Sequence, residues 1–302
     1  MNSIRGKNGV IVDGLRSRPV DTGNEGRKHT EIRYQFEDHV KFIAIRAEPH
    51  ELKEGFDRRR AHTSGDGAIY PGVDCERALF LCDEYLFDTF NLVSNVRAED
   101  GKTLKPRIYN WNHHPVGVHD RELPETWQDA GKDTWTFRVK RPGEGSGVIM
   151  RVLGEEGTSE FWDLHNGITT VVLERKKPAT AFVALHEPFK GDDIHVESYE
   201  RIQQTDQGVG VRITGLKKSP VNDRVLLAYA ARKDKPITLA DKKESFTFSS
   251  HLHVRIDRKA VQVIGRLEKM KLDVGKNKPK LFLNGEEQPA TVDDGILTYP
   301  AE

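Results

Sequence analysis

Short strand-like segments that recur along the whole chain constrain its fold more than any other feature of the sequence. They return about every 8 to 15 residues, and each ends in Gly, Pro, Asn, Asp or a charged turn. No stretch repeats apolar residues at i, i+3, i+4 and i+7 over three turns, as an amphipathic helix does. The pattern therefore predicts an all-β protein with little or no helix, built as a large, supersandwich-like antiparallel β-sandwich.

The length of 302 residues fits one large all-β domain or two ordinary ones. No Pro- or Ser-rich linker and no low-complexity tract interrupts the strand pattern. Residues 232–243 (RKDKPITLADKK) are basic and poor in apolar side chains, which predicts a loop that joins two sheets or two halves of a domain. We therefore predict a single sandwich domain over 1–302, with a looser C-terminal sheet region from about residue 232.

The most hydrophobic strands are predicted over 78–81 and 85–93, joined by a turn that begins at Cys82. Asn284-Gly285 predicts a hairpin, because both residues tolerate the positive φ of a type I′ turn. Cys75 and Cys82 are an odd number of positions apart in one apolar run, so a strand directs them to opposite faces. We expect two buried thiols and no disulfide between them.

Charge and targeting signals exclude several classes of partner. The 47 Lys and Arg balance 47 Asp and Glu, so no overall field attracts nucleic acid or a membrane surface. No basic-then-apolar leader opens the chain, and no apolar run reaches the roughly 18 to 20 residues that cross a bilayer. We predict a soluble protein with neither nucleic-acid nor membrane partners.

The densest group of chemically versatile side chains lies within 107–114. Tyr and Trp rings stack on sugars, Asn and His bind hydroxyls, and Arg matches a uronate carboxylate. A Tyr can also remove the proton α to that carboxylate while a cation or His stabilises the enolate. The alternative is structural, with the two rings packed on one strand face and the histidines capping its end. The predicted catalytic residues are Tyr109, His114 and Arg107, and the predicted substrate-binding residues are Trp111, Asn110 and His113.

A charged segment over 49–67 carries three consecutive arginines, Arg58, Arg59 and Arg60. Guanidinium groups match carboxylates and sulfates, so Arg59 and Arg60 join the predicted substrate-binding residues. The alternative is a solvated loop or a single helical turn.

One further pair of side chains is a candidate for metal ligands. Asp163 and His165 lie at i and i+2 on one face of a predicted strand, which suits zinc or calcium. No spacing in the sequence demands a metal, so this site is an open alternative. His251 and His253 also share a strand face, and we interpret them as a hydrogen-bonded surface or core pair.

Six short motifs stand in order between residues 6 and 189: K-N-G-V-I-V-D-G, Y-P-G-V-x-x-x-R-A-L-F-L, D-T-F, R-I-Y-N-W-N-H-H-P-V-G, T-T-V-V-L-E-R and F-V-A-L-H-E-P-F. In order and spacing they resemble the C-terminal β-sandwich of the heparinase II/III-like polysaccharide lyases. The resemblance implies that an N-terminal α/α toroid and this sandwich flank a cleft in which acidic glycan is cleaved by β-elimination.

The chain departs from the pattern of that family at positions that carry its chemistry. The family's H-x-Y-D-W-x-x-H reads R-I-Y-N-W-N-H-H here, so the first His and the Asp are replaced. A family H-N pair before the first strand reads Lys7-Asn8, and we expect the chain to begin downstream of the family's H-x-H-x-D segment and to lack the toroid. The resemblance carries over Tyr109, Trp111 and His114, but neither the complete metal site nor the catalytic base.

The leading hypothesis is the sandwich portion of a uronate-polysaccharide lyase that binds acidic polysaccharide or oligosaccharide and is inactive without a toroid, which a partner chain can supply. The alternatives are a non-catalytic sandwich that binds acidic glycan or has a structural role, and a complete single-domain lyase. The family context implies a periplasmic or secreted protein; without it, the missing signal indicates the cytoplasm.

Overall fold

The computed structural model describes residues 9–12, 29–47, 72–113, 127–129, 134–141, 145–165, 168–229 and 235–301. These residues form twenty-two β-strands. None of them is helical, so the described part of the chain contains no helix that could cross a membrane. The predicted all-β class, with large antiparallel sheets and little or no helix, is confirmed.

The chain divides into two compact units. The first comprises Met1–Tyr34, Phe42–Leu79 and Phe87–Gly191, and the second comprises Gln35–Lys41, Phe80–Leu86 and Asp192–Glu302. The turns of two hairpins from the N-terminal part of the sequence therefore belong to the second unit. The single domain over 1–302 stays a prediction, as does the looser region from residue 232.

Twelve strands belong mainly to the first unit. They form a four-stranded sheet in the order β1-β6-β11-β10 and an eight-stranded sheet in the order β2-β3-β4-β5-β12-β9-β8-β7. In chain order, β1 to β12 span Gly9–Val12, His29–Phe36, Val40–Ala47, Val73–Cys82, Leu86–Ser94, Arg107–His113, Trp127–Asp129, Thr134–Arg141, Ser146–Leu153, Thr158–His165, Ile168–Lys177 and Ala179–Lys190.

The two sheets of the first unit enclose one core. The four-stranded sheet contributes Val12, Tyr109 and Leu173, and the eight-stranded sheet contributes Phe90 and Phe182. Side chains alternate between the faces of a strand, so every second residue enters this core. Two sheets packed face to face over shared apolar side chains make the unit a β-sandwich, as the strand rhythm predicts.

The second unit holds a ten-stranded sheet with the main order β13-β14-β15-β17-β18-β19-β20. β18 and β19 pair in parallel, and β17 pairs antiparallel with β15, β16 and β18. In chain order, β13 to β22 span Val196–Gln204, Gly208–Gly215, Asn222–Ala228, Ile237–Ala240, Glu244–Ile256, Ala260–Asp273, Lys280–Leu283, Glu286–Gln288, Thr291–Asp293 and Ile296–Tyr299.

One turn and one loop of the second unit test the sequence interpretation directly. Asn284 and Gly285 join β19 to β20 with φ values of 50° and 85°, which confirms the predicted hairpin. The interpretation of 232–243 as a loop is wrong over Ile237–Ala240, which forms β16. Ile237 and Leu239 enter the core of the unit, but Lys and Asp flank so short a strand that its alternation is masked in the sequence.

A bulge interrupts the pairing of β17 with β18. The register shifts between Ser249 and Leu252, and Ser250 takes a positive φ of 72°. Across the ladder, Gly265 has a φ of 126°, and a Cβ atom built on it would lie 2.1 Å from the carbonyl oxygen of His251. Only glycine leaves room for the bulged strand at this position.

Candidate functional site

Strand β6 carries most of the predicted glycan site and lies between β1 and β11. Tyr109 pairs with Val12 of β1, and Trp111 pairs with Leu173 of β11. The segments V-I-V, R-I-Y-N-W and T-T-V-V-L-E-R are therefore neighbours in one sheet. Three of the motifs that carry the family resemblance build the same wall of the sandwich.

The two aromatic rings of β6 point into the sandwich core. Tyr109 is 0% exposed and Trp111 is 2% exposed. The Tyr109 hydroxyl donates to the carbonyl oxygen of Pro178 at 3.4 Å, and the Trp111 ring stacks on Phe182 with centroids 6.0 Å apart. This is the packing arrangement of the structural alternative, because neither ring presents a face to a sugar.

Two polar side chains of β6, Arg107 and Asn110, also contact the protein. Arg107 is buried, next to Gly72, where an added Cβ atom would lie 3.5 Å from its Nη1. The Asn110 side-chain amide donates to Glu174 Oε2 at 2.8 Å. A uronate carboxylate would have to reach a guanidinium that the fold covers.

The remaining predicted residues are placed only in part. Asp163 and His165 lie in β10 opposite Thr170 and Ile168, and His113 ends β6 opposite Val171, but their side chains are outside the described part of the chain. Residues outside the described ranges altogether are His114, Arg58, Arg59 and Arg60. Among the described side chains, no group of three or more His, Cys, Asp or Glu is placed to hold a metal, and zinc or calcium stays a hypothesis.

A second constellation, which we term the polar cluster, lies in the second unit and comprises Cys82, Glu84, Tyr85, Asp223, His253 and Arg255. Arg255 donates through Nε and Nη2 to both carboxylate oxygens of Asp223, at 2.9 and 2.8 Å. Its Nη2 also lies 2.8 Å from Glu84 Oε2. Such paired, charge-assisted hydrogen bonds are among the strongest that proteins form.

Three side chains of the polar cluster converge on one nitrogen of His253. Its Nε2 lies 3.3 Å from Asp223 Oδ2, 3.2 Å from the Tyr85 hydroxyl and 3.5 Å from Cys82 Sγ. The Tyr85 hydroxyl in turn donates to Asp223 Oδ2 at 2.8 Å. The other ring nitrogen, Nδ1, is buried without a hydrogen-bond partner in the described part of the chain.

The contacts within the polar cluster separate the pKa values of its members. Burial alone raises the pKa of Asp223, but hydrogen bonds and charges from His253 and Arg255 outweigh it and hold that pKa well below its usual range. Burial lowers the pKa of His253, but its contacts with Cys82 and Asp223 raise it to about 9. Burial, followed by the Asp223 charge, raises the pKa of Tyr85. Near neutral pH the cluster holds an aspartate, an imidazolium and a neutral phenol.

The centre of the polar cluster is sealed from solvent. Asp223 is 0% exposed, His253 0% and Tyr85 1%. A group that no substrate can reach stabilises the fold rather than turning over a ligand. In the sequence, only the predicted histidine pair at 251 and 253 points to the polar cluster. Tyr85 and Cys82 are 168 and 171 residues away from His253 along the chain, so no local pattern connects them.

The raised pKa of His253 makes the stability of the fold depend on pH. The imidazolium contributes its full stabilisation below the unfolded pKa of about 6.5, and this contribution is lost as the pH rises through about 9. We expect the free energy of unfolding to fall over this window by at most about 3 kcal/mol. Urea unfolding at stepped pH measures it. His253→Gln should flatten the profile there, and a wild-type profile that rises instead would contradict the assignment.

The two cysteines should differ in reactivity. Burial, then the charges of Asp74 and Glu76, raises the pKa of Cys75 to about 12, so its thiolate is scarce. Cys82 lies instead beside the ring of His253, with its Sγ 3.5 Å from His253 Nε2. We expect limited alkylation by iodoacetamide to label Cys82 before Cys75, as read by peptide mass spectrometry. Both should react alike in concentrated urea, and earlier labelling of Cys75 in the folded chain would refute the expectation.

Comparison with known proteins finds similar solved structures. No family model matches the sequence, and no curated protein does. The structure matches a heparinase III, with a TM-score of 0.44 and 14% sequence identity, and the heparan sulfate lyase HepC from Pedobacter heparinus, with a TM-score of 0.45 and 11% identity. Each match covers 74% of this chain and 30% of the other, so the chain spans less than a third of the proteins that it matches.

Proposed function

We propose that the chain is the β-sandwich portion of a uronate-polysaccharide lyase, and that it forms one wall of a cleft for acidic glycan without catalysing elimination by itself. The observation that carries the proposal is the burial of Tyr109 and Trp111. The motif R-I-Y-N-W resembles the family's site, yet its rings fill the core that the neighbouring motifs build. These motifs support kinship in fold, and the burial supports an incomplete site.

The chemistry of elimination explains why burial matters. A base must remove the proton α to the uronate carboxylate while a cation or hydrogen-bond donor stabilises the enolate, and the glycosidic oxygen then departs. The base has to come within about 3 Å of that proton in the bound glycan. Tyr109, at 0% exposure with its hydroxyl at Pro178, does not reach a bound sugar unless the sandwich opens. The missing groups would come from an α/α toroid in the same or a partner polypeptide.

The test is direct. The purified chain is incubated with heparin, heparan sulfate, alginate and ulvan, and the ultraviolet absorbance of the unsaturated uronate product is followed. We expect no turnover by the chain alone. Turnover would sink the proposal in favour of a single-domain lyase, and Tyr109→Phe would then identify the base, because it should abolish turnover and keep glycan binding.

The same burial leaves a second candidate function, a sandwich that binds acidic glycan without chemistry. Arg59 and Arg60 are the proposed contacts, since guanidinium groups recognise carboxylates and sulfates. An array of acidic polysaccharides tests it, with an Arg59→Ala/Arg60→Ala variant as the matched probe. Binding that the double variant loses supports the glycan site, whereas a blank array argues for a structural role.

A further inference from the structure

The second unit contains a pocket of about 300 Å³ that the predicted glycan site does not use. One wall is the turn between β2 and β3, and the other is formed by β18, β19 and the turn after β19. Val263 and Leu281 of these strands belong to the apolar core of the unit, so the residues that alternate with them face away from that core. The lining of the pocket includes Glu37, Asp38, His39, Gln262, Ile264 and Phe282.

A single side-chain amide bridges the two turns of the pocket. Gln35 Nε2 lies 3.2 Å from Glu37 Oε1 and 3.2 Å from Asn284 Oδ1, so it links both turns. Gln35 Oε1 lies 3.0 Å from His251 Nε2, and Asn284 Oδ1 also accepts the Gly265 backbone N–H at 2.9 Å. These hydrogen bonds already connect the two turns, so a ligand has less ordering to impose, which lowers the cost of binding.

The pocket walls combine negative charge with apolar surface. Glu37 and Asp38 bring two carboxylates, and the described lining includes neither Lys nor Arg. His39 adds no positive charge near neutral pH, because burial and then the His253 charge lower its pKa. Phe282 and Ile264 supply an aromatic ring and an aliphatic side chain. Carboxylates beside an aromatic ring attract cations and repel anions.

We propose that this pocket binds a small organic cation, in which an ammonium or guanidinium group faces Glu37 and Asp38 and an apolar body packs on Phe282 and Ile264. The size of the pocket suits a ligand of this kind, since small-molecule sites begin at about 300 Å³. The site is distinct in chemistry from an acidic-glycan cleft. Its test therefore does not depend on whether the chain binds glycan.

Three probes of nearly equal shape and different charge test the proposal: benzylamine, benzyl alcohol and benzoate. Saturation-transfer NMR and titration at low salt are run on the full chain. We expect benzylamine to bind at least about tenfold more tightly than benzyl alcohol, benzoate to bind least, and salt at about 0.5 M to narrow the difference. Equal binding of the amine and the alcohol, or no benzylamine binding up to about 10 mM, would overturn the proposal.

Variants of the pocket residues test whether the preference for benzylamine arises in this pocket. Glu37→Gln/Asp38→Asn should bring the preference for the amine to within about twofold, whereas Phe282→Leu should weaken the amine and the alcohol together. Glu268→Gln, an exposed carboxylate on β18 that is not among the pocket residues, is the control and should leave the preference unchanged. If Glu37→Gln/Asp38→Asn kept the full preference for benzylamine over benzyl alcohol, the amine would bind outside this pocket. The three-probe comparison on the unchanged chain decides the matter even where a variant fails to fold.

Discussion

Asp223→Asn is expected to lower the free energy of unfolding by about 3 to 5 kcal/mol. The carboxylate takes both hydrogen bonds from Arg255 and one from Tyr85, and it lies 3.3 Å from His253 Nε2. An amide of the same shape keeps the packing, but it leaves the imidazolium of His253 without its counter-charge and Arg255 with Glu84 alone, in a site that is 0% exposed at Asp223. The cost of an uncompensated buried charge exceeds that of a lost hydrogen bond.

Urea unfolding followed by circular dichroism measures the loss in Asp223→Asn. Asp293→Asn is the matched control, because Asp293 is an exposed carboxylate on β21 in the same unit, and its change should stay within about 0.5 kcal/mol. If Asp223→Asn lost no more stability than Asp293→Asn, the Asp223 carboxylate would not stabilise the polar cluster, and the prediction would be wrong.

Gly265→Ala should cost at least about 3 kcal/mol, because it combines a backbone penalty with a steric one. The φ of 126° is unfavourable for any residue with a Cβ atom, and that atom would lie 2.1 Å from the His251 carbonyl oxygen. The bulge at Ser250 would have to shift, and with it the strand that carries His253. Thermal unfolding should show a lower midpoint.

Gly275→Ala separates the two contributions. Gly275 also has a positive φ, 60°, but nothing lies within 4 Å of an added Cβ atom. Its substitution should therefore cost only about 1 kcal/mol, the backbone penalty alone. Comparable losses at Gly265 and Gly275 would show that β17 gives way to a methyl group at little cost.

Local patterns predict the strands of this chain well and their partners poorly. The alternation in β17 and β18 and the Asn284-Gly285 turn are properties of neighbouring residues, so the sequence displays them. The pairing of Tyr85 with Asp223 spans 138 residues, and no local pattern marks it. The sequence interpretation of β16 as a loop is wrong for a different reason. The strand has only two buried apolar residues, and its charged flanks mask their alternation.

The candidate site on β6 shows a second limit of reading a sequence. The same residue types that bind sugars also fill cores, and alternation shows that Tyr109 and Trp111 share a face without showing what covers that face. The position of β6 between β1 and β11 in the sheet determines what covers that face. In this chain, therefore, the aromatic residues of the R-I-Y-N-W motif belong to the core of the sandwich.

The hairpin turns that complete the second unit have a consequence for how the chain is made. Tyr85 leaves the ribosome 168 residues before His253, a delay of roughly ten to thirty seconds at ordinary synthesis rates. Until those later residues have been synthesised, the segments 35–41 and 80–86 cannot form their contacts with the rest of the second unit. The second unit therefore closes only after Asp223 and Arg255 have been made, and a polypeptide that begins at Asp192 would carry these two residues without Tyr85 and Glu84. A cut at Asp192, where the longest segment of the second unit begins, therefore separates residues that contact each other in the fold.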